Sequence, residues 1–211
     1  MSLLTKPKTI SLIAILLAGL LGLYTSNKYF NKSVQIEYQS LLLYPKLKTF
    51  SGFELNDKNN KKLTIDDFAN KWTLLFFGFT SCPDVCPTTL TELQRVYKYL
   101  DKQNLKQKPE VLFISVDPER DTADKLKNYI NFFNPEFNAA SGDRGSLLSL
   151  SSQIGVAYNI EEHESGSLSY NVDHTAALFL VNPQKQLYGI FQSPHDETKI
   201  ASDLEILMEQ K

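Results

Sequence analysis

Cysteine is almost missing from this chain: 211 residues contain two, Cys82 and Cys86. Two thiols are too few for the cysteine-rich patterns of structural zinc modules. A basic surplus is missing too. The formal net charge is -2, and nucleic-acid binding, which needs positive charge, is set aside. No internal repeat or low-complexity tract occurs, and no charged residue stands between Lys8 and Lys28. The remainder, 42% hydrophobic and 22% charged, is ordinary for a globular protein. The length suits one domain with an appendage.

The appendage is the N-terminus. Ile10 to Tyr24 is almost wholly apolar, and as a helix the uncharged stretch would span roughly 28 Å, close to the hydrocarbon thickness of a bilayer. A cleaved signal peptide would be followed by an A-x-A-like site, which Leu23-Tyr24-Thr25-Ser26-Asn27 does not supply. The expected organisation is a tail over residues 1–8, a single transmembrane anchor over 9–27, a tether over 28–46 and a domain over 47–211. Lys6 and Lys8 with the amino terminus barely outweigh Lys28 and Lys32, so charge leaves the orientation open.

Within the domain, Leu47–Leu55 and Lys61–Leu63 read as short strands around the turn Asn56-Asp57-Lys58-Asn59-Asn60. Thr64 is placed to cap a brief helix that has Asp66 and Asp67 in its first turn. Trp72–Phe79 and Val111–Val116 are apolar on both faces, as central strands covered on both sides must be. Leu90, Leu93, Val96, Tyr97 and Leu100 recur at helical spacing, so Thr88–Asp101 is an amphipathic helix with Pro87 in its first turn. A second helix puts Leu126, Tyr129, Ile130 and Phe133 on one face. Further on come a short strand at Phe137–Ala140, a helix at Leu147–Ile154 and a polar loop or hairpin at Asn159–Ser169. A buried strand at Thr175–Val181, its antiparallel mate at Leu187–Phe191 and a helix at Asp196–Met208 complete the chain. This alternation predicts an α/β fold with a mixed central sheet flanked by helices. Cys82 and Asp117 each follow a buried strand at its carboxyl end, where such sheets build their sites, so the two should be neighbours.

The pair in Cys82-Pro83-Asp84-Val85-Cys86 can close a disulfide if the loop curls, or turn both thiolates toward one ion. A helix N-terminus depresses thiol pKa values and favours either use. Two buried small hydrophobes is the bland alternative, and the flanking prolines at a helix entry speak against it. Redox pairs usually have C-x2-C spacing, which counts against a pure exchange enzyme. A metal needs further ligands. His174, in Val172-Asp173-His174-Thr175-Ala176, precedes a buried strand and can lie beside the thiols. His163, between glutamates, reads as solvated, and His195, beside Pro194, as a turn or capping residue. Two thiolates and an imidazole suit Cu(I), while Cu(II) or zinc would take a further ligand. Asp117 and Asp173 are candidates to orient the histidine or balance charge. Asp117 could instead form a turn before Pro118, and Asp121 could cap the next helix. Arg120 reads as the partner of an exposed carboxylate.

Three stretches together resemble the Sco/SenC family of copper-handling proteins: Phe79 to Leu90, Ser115-Val116-Asp117-Pro118-Glu119-Arg120-Asp121-Thr122, and Val172 to Ala176. The resemblance extends over Leu47 to Met208 and includes the N-terminal anchor. It implies a thioredoxin-like fold held at the inner (cytoplasmic) membrane by one span, with the soluble domain in the periplasm or an equivalent space. It also implies Cys82, Cys86 and His174 as ligands for Cu(I), and also Cu(II), with Asp117 at an acidic position near them. The implied partner is the copper-site subunit of cytochrome c oxidase, whose dinuclear centre receives the metal, with other copper chaperones or thiol reductants upstream. Thioredoxins place a cis-proline before the strand that faces their cysteines. Asp173-His174-Thr175 has none, which shifts the balance toward metal binding. Only one glycine, Gly52, precedes Phe53 where family members often have two, and Asn159–Asn171 matches nothing in the family pattern.

The readings that compete are a copper metallochaperone, which is no turnover enzyme, and a thiol:disulfide oxidoreductase with Cys82 as nucleophile and Cys86 as resolving thiol. A peroxidase would need one sensitised cysteine and a peroxide pocket, and the paired thiols with a remote histidine do not point there.

Overall fold

The computed structural model describes residues 7–30, 37–103, 105 and 107–209, with side chains described from residue 15 and not for 27–36. It forms two units, residues 1–37 and 38–211. In the first, helix α1 (Pro7–Phe30) contains the expected anchor. The side chains of residues 9–14 and 27 of that anchor lie outside the described residues, as does the tail over 1–6. From Ile15 to Tyr24 the apolar side chains of α1 are exposed. Among the described residues, no helix is long and apolar enough to cross a membrane.

The second unit begins with β1 (Leu41–Thr49), β2 (Leu55–Asp57) and β3 (Lys62–Leu63). The first strand starts inside the stretch expected to be tether. Pro45 argues against a strand there by sequence, but β1 is the outermost strand of its sheet and its register breaks between Leu43 and Lys48. An edge with an irregularity tolerates a residue without an N–H. The buried carboxylate of Asp203 fixes the entry: it accepts the amides of Gln39 and Ser40 at 2.7 Å and that of Leu41 at 2.8 Å. Thr64 caps a single 3-10 turn, Ile65–Phe68, through a reciprocal capping box with Asp67, so the brief helix is briefer than an α-helix.

Next come β4 (Thr73–Gly78), α2 (Val85–Lys102), β5 (Glu110–Ser115), α3 (Ala123–Phe133), β6 (Asn138–Ser141) and α4 (Arg144–Ile154). After them lie β7 (Tyr158–Ile160), β8 (Val172–His174), β9 (Leu178–Val181), β10 (Gln186–Phe191) and α5 (Glu197–Glu209). The main sheet runs β1-β10-β9-β4-β5-β6-β2-β3. Its centre is parallel, β4 to β5 to β6, and β9 joins β4 antiparallel, so the sheet is mixed.

Every residue of β4 is buried, and its alternation divides the core. Leu74 and Phe76 pack with Leu90, Leu93, Ile130 and Leu204 from α2, α3 and α5. Leu75 and Phe77 pack on the other face with Leu147, Leu150 and Ile154 from α4. Each such side chain contributes about 1.5–3 kcal/mol by leaving water, which is why a run apolar on both faces sits between two helical layers.

The expected strand Thr175–Val181 is two structures. Val172–His174 pairs with β7 in a separate two-stranded sheet, and only Leu178–Val181 joins the main one. Thr175 makes the break: its amide donates to the Ala157 carbonyl at 2.9 Å, and its hydroxyl accepts the Ala157 amide at 3.0 Å. That ties the chain to the hairpin before it enters β9.

Candidate metal centre

The carboxyl end of β4 delivers the chain to the thiols. Gly78 has to be glycine, because a Cβ there would stand 2.6 Å from the Cys86 sulfur and 2.7 Å from the Phe113 ring. The absent side chain lets the start of α2 pack against the strand end. After Phe79, the loop is pinned at Thr80, whose amide donates to Asp121 at 2.8 Å. The expectation that Asp121 caps α3 is corrected: Thr122 accepts the Lys125 amide as the cap, and Asp121 turns inward.

Helix α2 starts at Val85, earlier than its apolar periodicity shows, so Cys86 and Pro87 lie in its first turn. Asp84 makes no side-chain cap bond. The Cys82 sulfur takes that place, accepting the Cys86 amide at 3.4 Å. Both cysteines are free, Cys86 buried and Cys82 half-buried. Hydrogen bonding from Cys86, aided by the Cys86 and Asp84 amides, outweighs burial and holds the Cys82 thiol down at about 3. The same bond, together with burial, pushes the Cys86 thiol up. The two thiols are thus unequal: the charged form is favoured at Cys82 and the protonated form at Cys86.

His174, at the end of β8, closes the group. Its Nδ1 is 3.1 Å from the Thr175 carbonyl, an atom that can only accept, so Nδ1 carries the proton and Nε2 presents a lone pair. Nε2 stands 3.3 Å from the Cys86 sulfur. The Phe76 and Phe79 rings meet the imidazole edge-on at 6.1 and 5.9 Å and limit its tilt. The ligand atoms of Cys82, Cys86 and His174 all lie within 4.8 Å of one another. Two soft sulfurs and one imidazole nitrogen at this separation fit a single copper ion. Beside them opens a cleft of about 590 Å³ with Phe79, Ser81, Pro83, Val85, Arg120 and Tyr170 in its walls.

The expected outer residues divide. Asp173 is exposed at the cleft mouth and, among the described residues, makes no hydrogen bond to His174, whose ring is oriented by the Thr175 carbonyl. Asp117 is buried beneath the cleft wall. It accepts the Tyr170 hydroxyl at 2.6 Å and pairs with Arg120 Nε, so it acts on the wall rather than on the ligands. Arg120 is therefore bound to a buried carboxylate and not to an exposed one. Its guanidinium lies 3.8 Å from the Tyr170 ring centroid, and its Nη1 donates to the Tyr170 carbonyl at 2.9 Å.

His163 is also better held than its polar surroundings suggested. Its ring stacks on Tyr170 at 3.7 Å and 11°, and Nε2 meets Glu119 at 2.9 Å. The Glu161 carbonyl, then Glu119, push its pKa up. His195 sits against Thr89 at 3.4 Å, away from the thiols, with its pKa lowered by burial. Tyr170 and Gly78 escaped the sequence reading. A glycine ending a wholly apolar strand just before the thiols was the available signal for the second, and Tyr170 had none.

The comparisons with known proteins agree with this geometry. A family model described as SCO1/SenC matches residues 44–209. The mitochondrial SCO2 homolog of Danio rerio is 34% identical over 175 residues, 82% of this chain and 62% of that protein. Arabidopsis thaliana ScoI with copper bound superposes with a TM-score of 0.68 at 30% identity, covering 77% of this chain and 100% of that one. Bradyrhizobium japonicum ScoI with copper bound gives 0.65 at 35% identity, covering 75% and 99%. The α/β architecture is the thioredoxin-like fold of those structures, and copper is the metal they hold. The chain belongs to the SCO1/SenC family.

Proposed function

We propose that this protein is a copper metallochaperone in which Cys82, Cys86 and His174 carry the metal, as cargo, to the dinuclear copper site of cytochrome c oxidase. One observation supports this above the rest: two soft sulfurs at the start of α2 and an imidazole nitrogen from the end of β8 lie within 4.8 Å of one another. Asp117 has the role of a positioning residue for the cleft wall, through Tyr170 and Arg120. Residues 9–27 serve as the membrane anchor, and the segment between the anchor and Tyr38 as the tether. The domain stands in the periplasm or an equivalent space, a placement supported by mitochondrial relatives such as the Danio rerio protein. The copper-site subunit of the oxidase is the acceptor, and other copper chaperones or thiol reductants load and reduce the site.

The test is a Cu(I) competition titration of the reduced chain beside His174→Ala and Cys86→Ser. One tight equivalent is expected, weakened more than about 100-fold in each variant, beyond the loss typical of outer partners. Tight binding that ignores His174 would overturn the ligand set.

A second reading, a thiol:disulfide reductase acting on the cysteines of that same oxidase site, is favoured by the stabilised Cys82 thiolate beside the protonated Cys86. In it Cys82 attacks the target disulfide and Cys86 resolves the mixed disulfide. His174→Ala separates the two, since it abolishes tight copper binding and leaves exchange largely intact.

A further inference from the structure

The hairpin that supplies His174 has one edge whose main-chain groups take no hydrogen bond among the described residues. Tyr158 pairs with His174, Asn159 with Asp173 and Ile160 with Val172. The ladder shows which of these pairs exchange hydrogen bonds: the Glu161 amide donates to the Asn171 carbonyl at 3.0 Å, and the Thr175 amide to the Ala157 carbonyl at 2.9 Å. Bonded pairs alternate along an antiparallel ladder, so Asn171, Asp173 and Thr175 turn their main-chain groups toward β7. Val172 and His174 therefore turn theirs away. Among the described residues, no hydrogen bond joins the amides or carbonyls of these two to another part of the protein.

Arg120 shows where that outward edge faces. Tyr170 has the same parity as Val172 and His174, and its carbonyl is taken by Arg120, which lines the cleft beside Cys82. Asn171, Val172, Asp173 and His174 all border the same cleft. Side chains of alternating direction would not line one cavity in an unbroken row, whereas a backbone edge would. Across the opening stand Pro83 and the exposed Val85. At the Tyr170 end, Arg120 keeps Nη2 buried and without a partner among the described residues, on a side chain only 8% exposed.

We propose that the outward edge of β8, from Val172 to His174, is a docking strand that receives an extended, cysteine-bearing segment of a partner protein by main-chain hydrogen bonding. Amides and carbonyls repeating along an open edge are matched by another peptide backbone and by few other ligands. A residue of the added strand directly opposite His174 would place its side chain on the same face as the imidazole, with Cβ atoms about 5 Å apart. A cysteine at that position meets the Cys82, Cys86 and His174 group without any rearrangement of β8. The identity of that residue as cysteine rests on the metal-transfer or thiol-exchange reading above, while the edge itself does not.

The test uses the full chain carrying Cys86→Ser. The Cys82 thiolate displaces thionitrobenzoate from the activated cysteine of a short extended peptide, forming one disulfide and releasing one thionitrobenzoate anion. Amide exchange at Val172 and His174 is then read by NMR. It is expected to slow about tenfold or more relative to the adduct of N-acetylcysteine methylamide, and to recover when the peptide backbone is N-methylated on its bonding edge. Unchanged exchange in the peptide adduct, equal slowing with the single cysteine, or slowing that survives N-methylation would overturn the proposal. Copper titration of the unmodified chain is scored separately. Loss of copper binding with protected amides removes the chaperone reading and leaves docking in place; copper binding with unprotected amides removes docking alone.

Discussion

Asp121 grips Thr80 across 41 positions of sequence, accepting its amide at 2.8 Å and its hydroxyl at 2.5 Å. The same carboxylate accepts the Ser115 hydroxyl at 2.7 Å. One buried side chain therefore joins the ends of the two central parallel strands at the point where the thiol loop leaves the sheet. Asp121→Ala leaves these donors buried and unpaired, which should cost about 2–4 kcal/mol. Urea unfolding measures the loss, and a midpoint equal to wild type would show that the grip is idle.

Tyr170→Phe removes the hydroxyl that Asp117 accepts and leaves the aromatic stack in place. The Asp117 carboxylate then keeps Arg120 alone among these side chains, a loss of about 1–2 kcal/mol. The hairpin carrying His174 should loosen, and copper affinity should fall about 10-fold, in the range of outer-partner losses. The competition titration reads the second effect independently of stability.

Cys82 should react as a thiolate well into the acid range. Alkylation follows the thiolate fraction, and a thiol held at about 3 is already ionised at pH 5, where an ordinary cysteine is almost wholly protonated. Mass spectrometry after iodoacetamide at pH 5 should find the label on Cys82 and not on Cys86. Labelling of both, or of neither, contradicts the inequality of the two thiols.

Oxidation of Cys82 and Cys86 to a disulfide removes two of the three donors, so Cu(I) affinity should collapse and return on reduction. Titration of the oxidised chain against the same competitor checks this. Tight binding by the disulfide form would place the metal elsewhere.

The His163–Glu119 contact gives the hairpin a pH dependence. The His163 pKa is raised by the Glu161 carbonyl and then by Glu119, so its contribution is complete below the unfolded value, about 6.5, and is lost as pH rises through the folded value. Glu119 is held down by His163 and then Arg144, so its contribution is present above the ordinary carboxylate range and is lost as pH falls through its folded value. The hairpin should be tightest between the two titrations. Amide exchange at Glu161 and Asn171, normalised to that of core strands, should show this window in wild type and lose its alkaline limb in His163→Asn.

Much of this protein is settled by local pattern. A run apolar on both faces, as at Leu74 to Phe77, has nowhere to go but the middle of a covered sheet, and Leu90, Leu93, Val96, Tyr97 and Leu100 make one buried stripe because helical geometry repeats their spacing. Cys82, in the loop just before α2, and Cys86, in its first turn, are close in sequence, and their fit to a soft metal follows from their type and separation. What the sequence left open are relations among distant segments. The strand at Leu41–Thr49 begins inside the expected tether, and the missing N–H of its Pro45 is tolerated because the strand is an edge. Asp121 and Arg120 look like surface residues until folding places Thr80 and Asp117 against them. His163 and Tyr170 become a stack only when the hairpin closes. Sequence determined the sheet core, the helix faces and the ligand types, because these depend on periodicity and side-chain chemistry. Tertiary structure decided which buried charges hold the site, which way β8 turns its main-chain groups and that the two thiols have unequal surroundings, because each depends on distances between segments that the chain order does not contain.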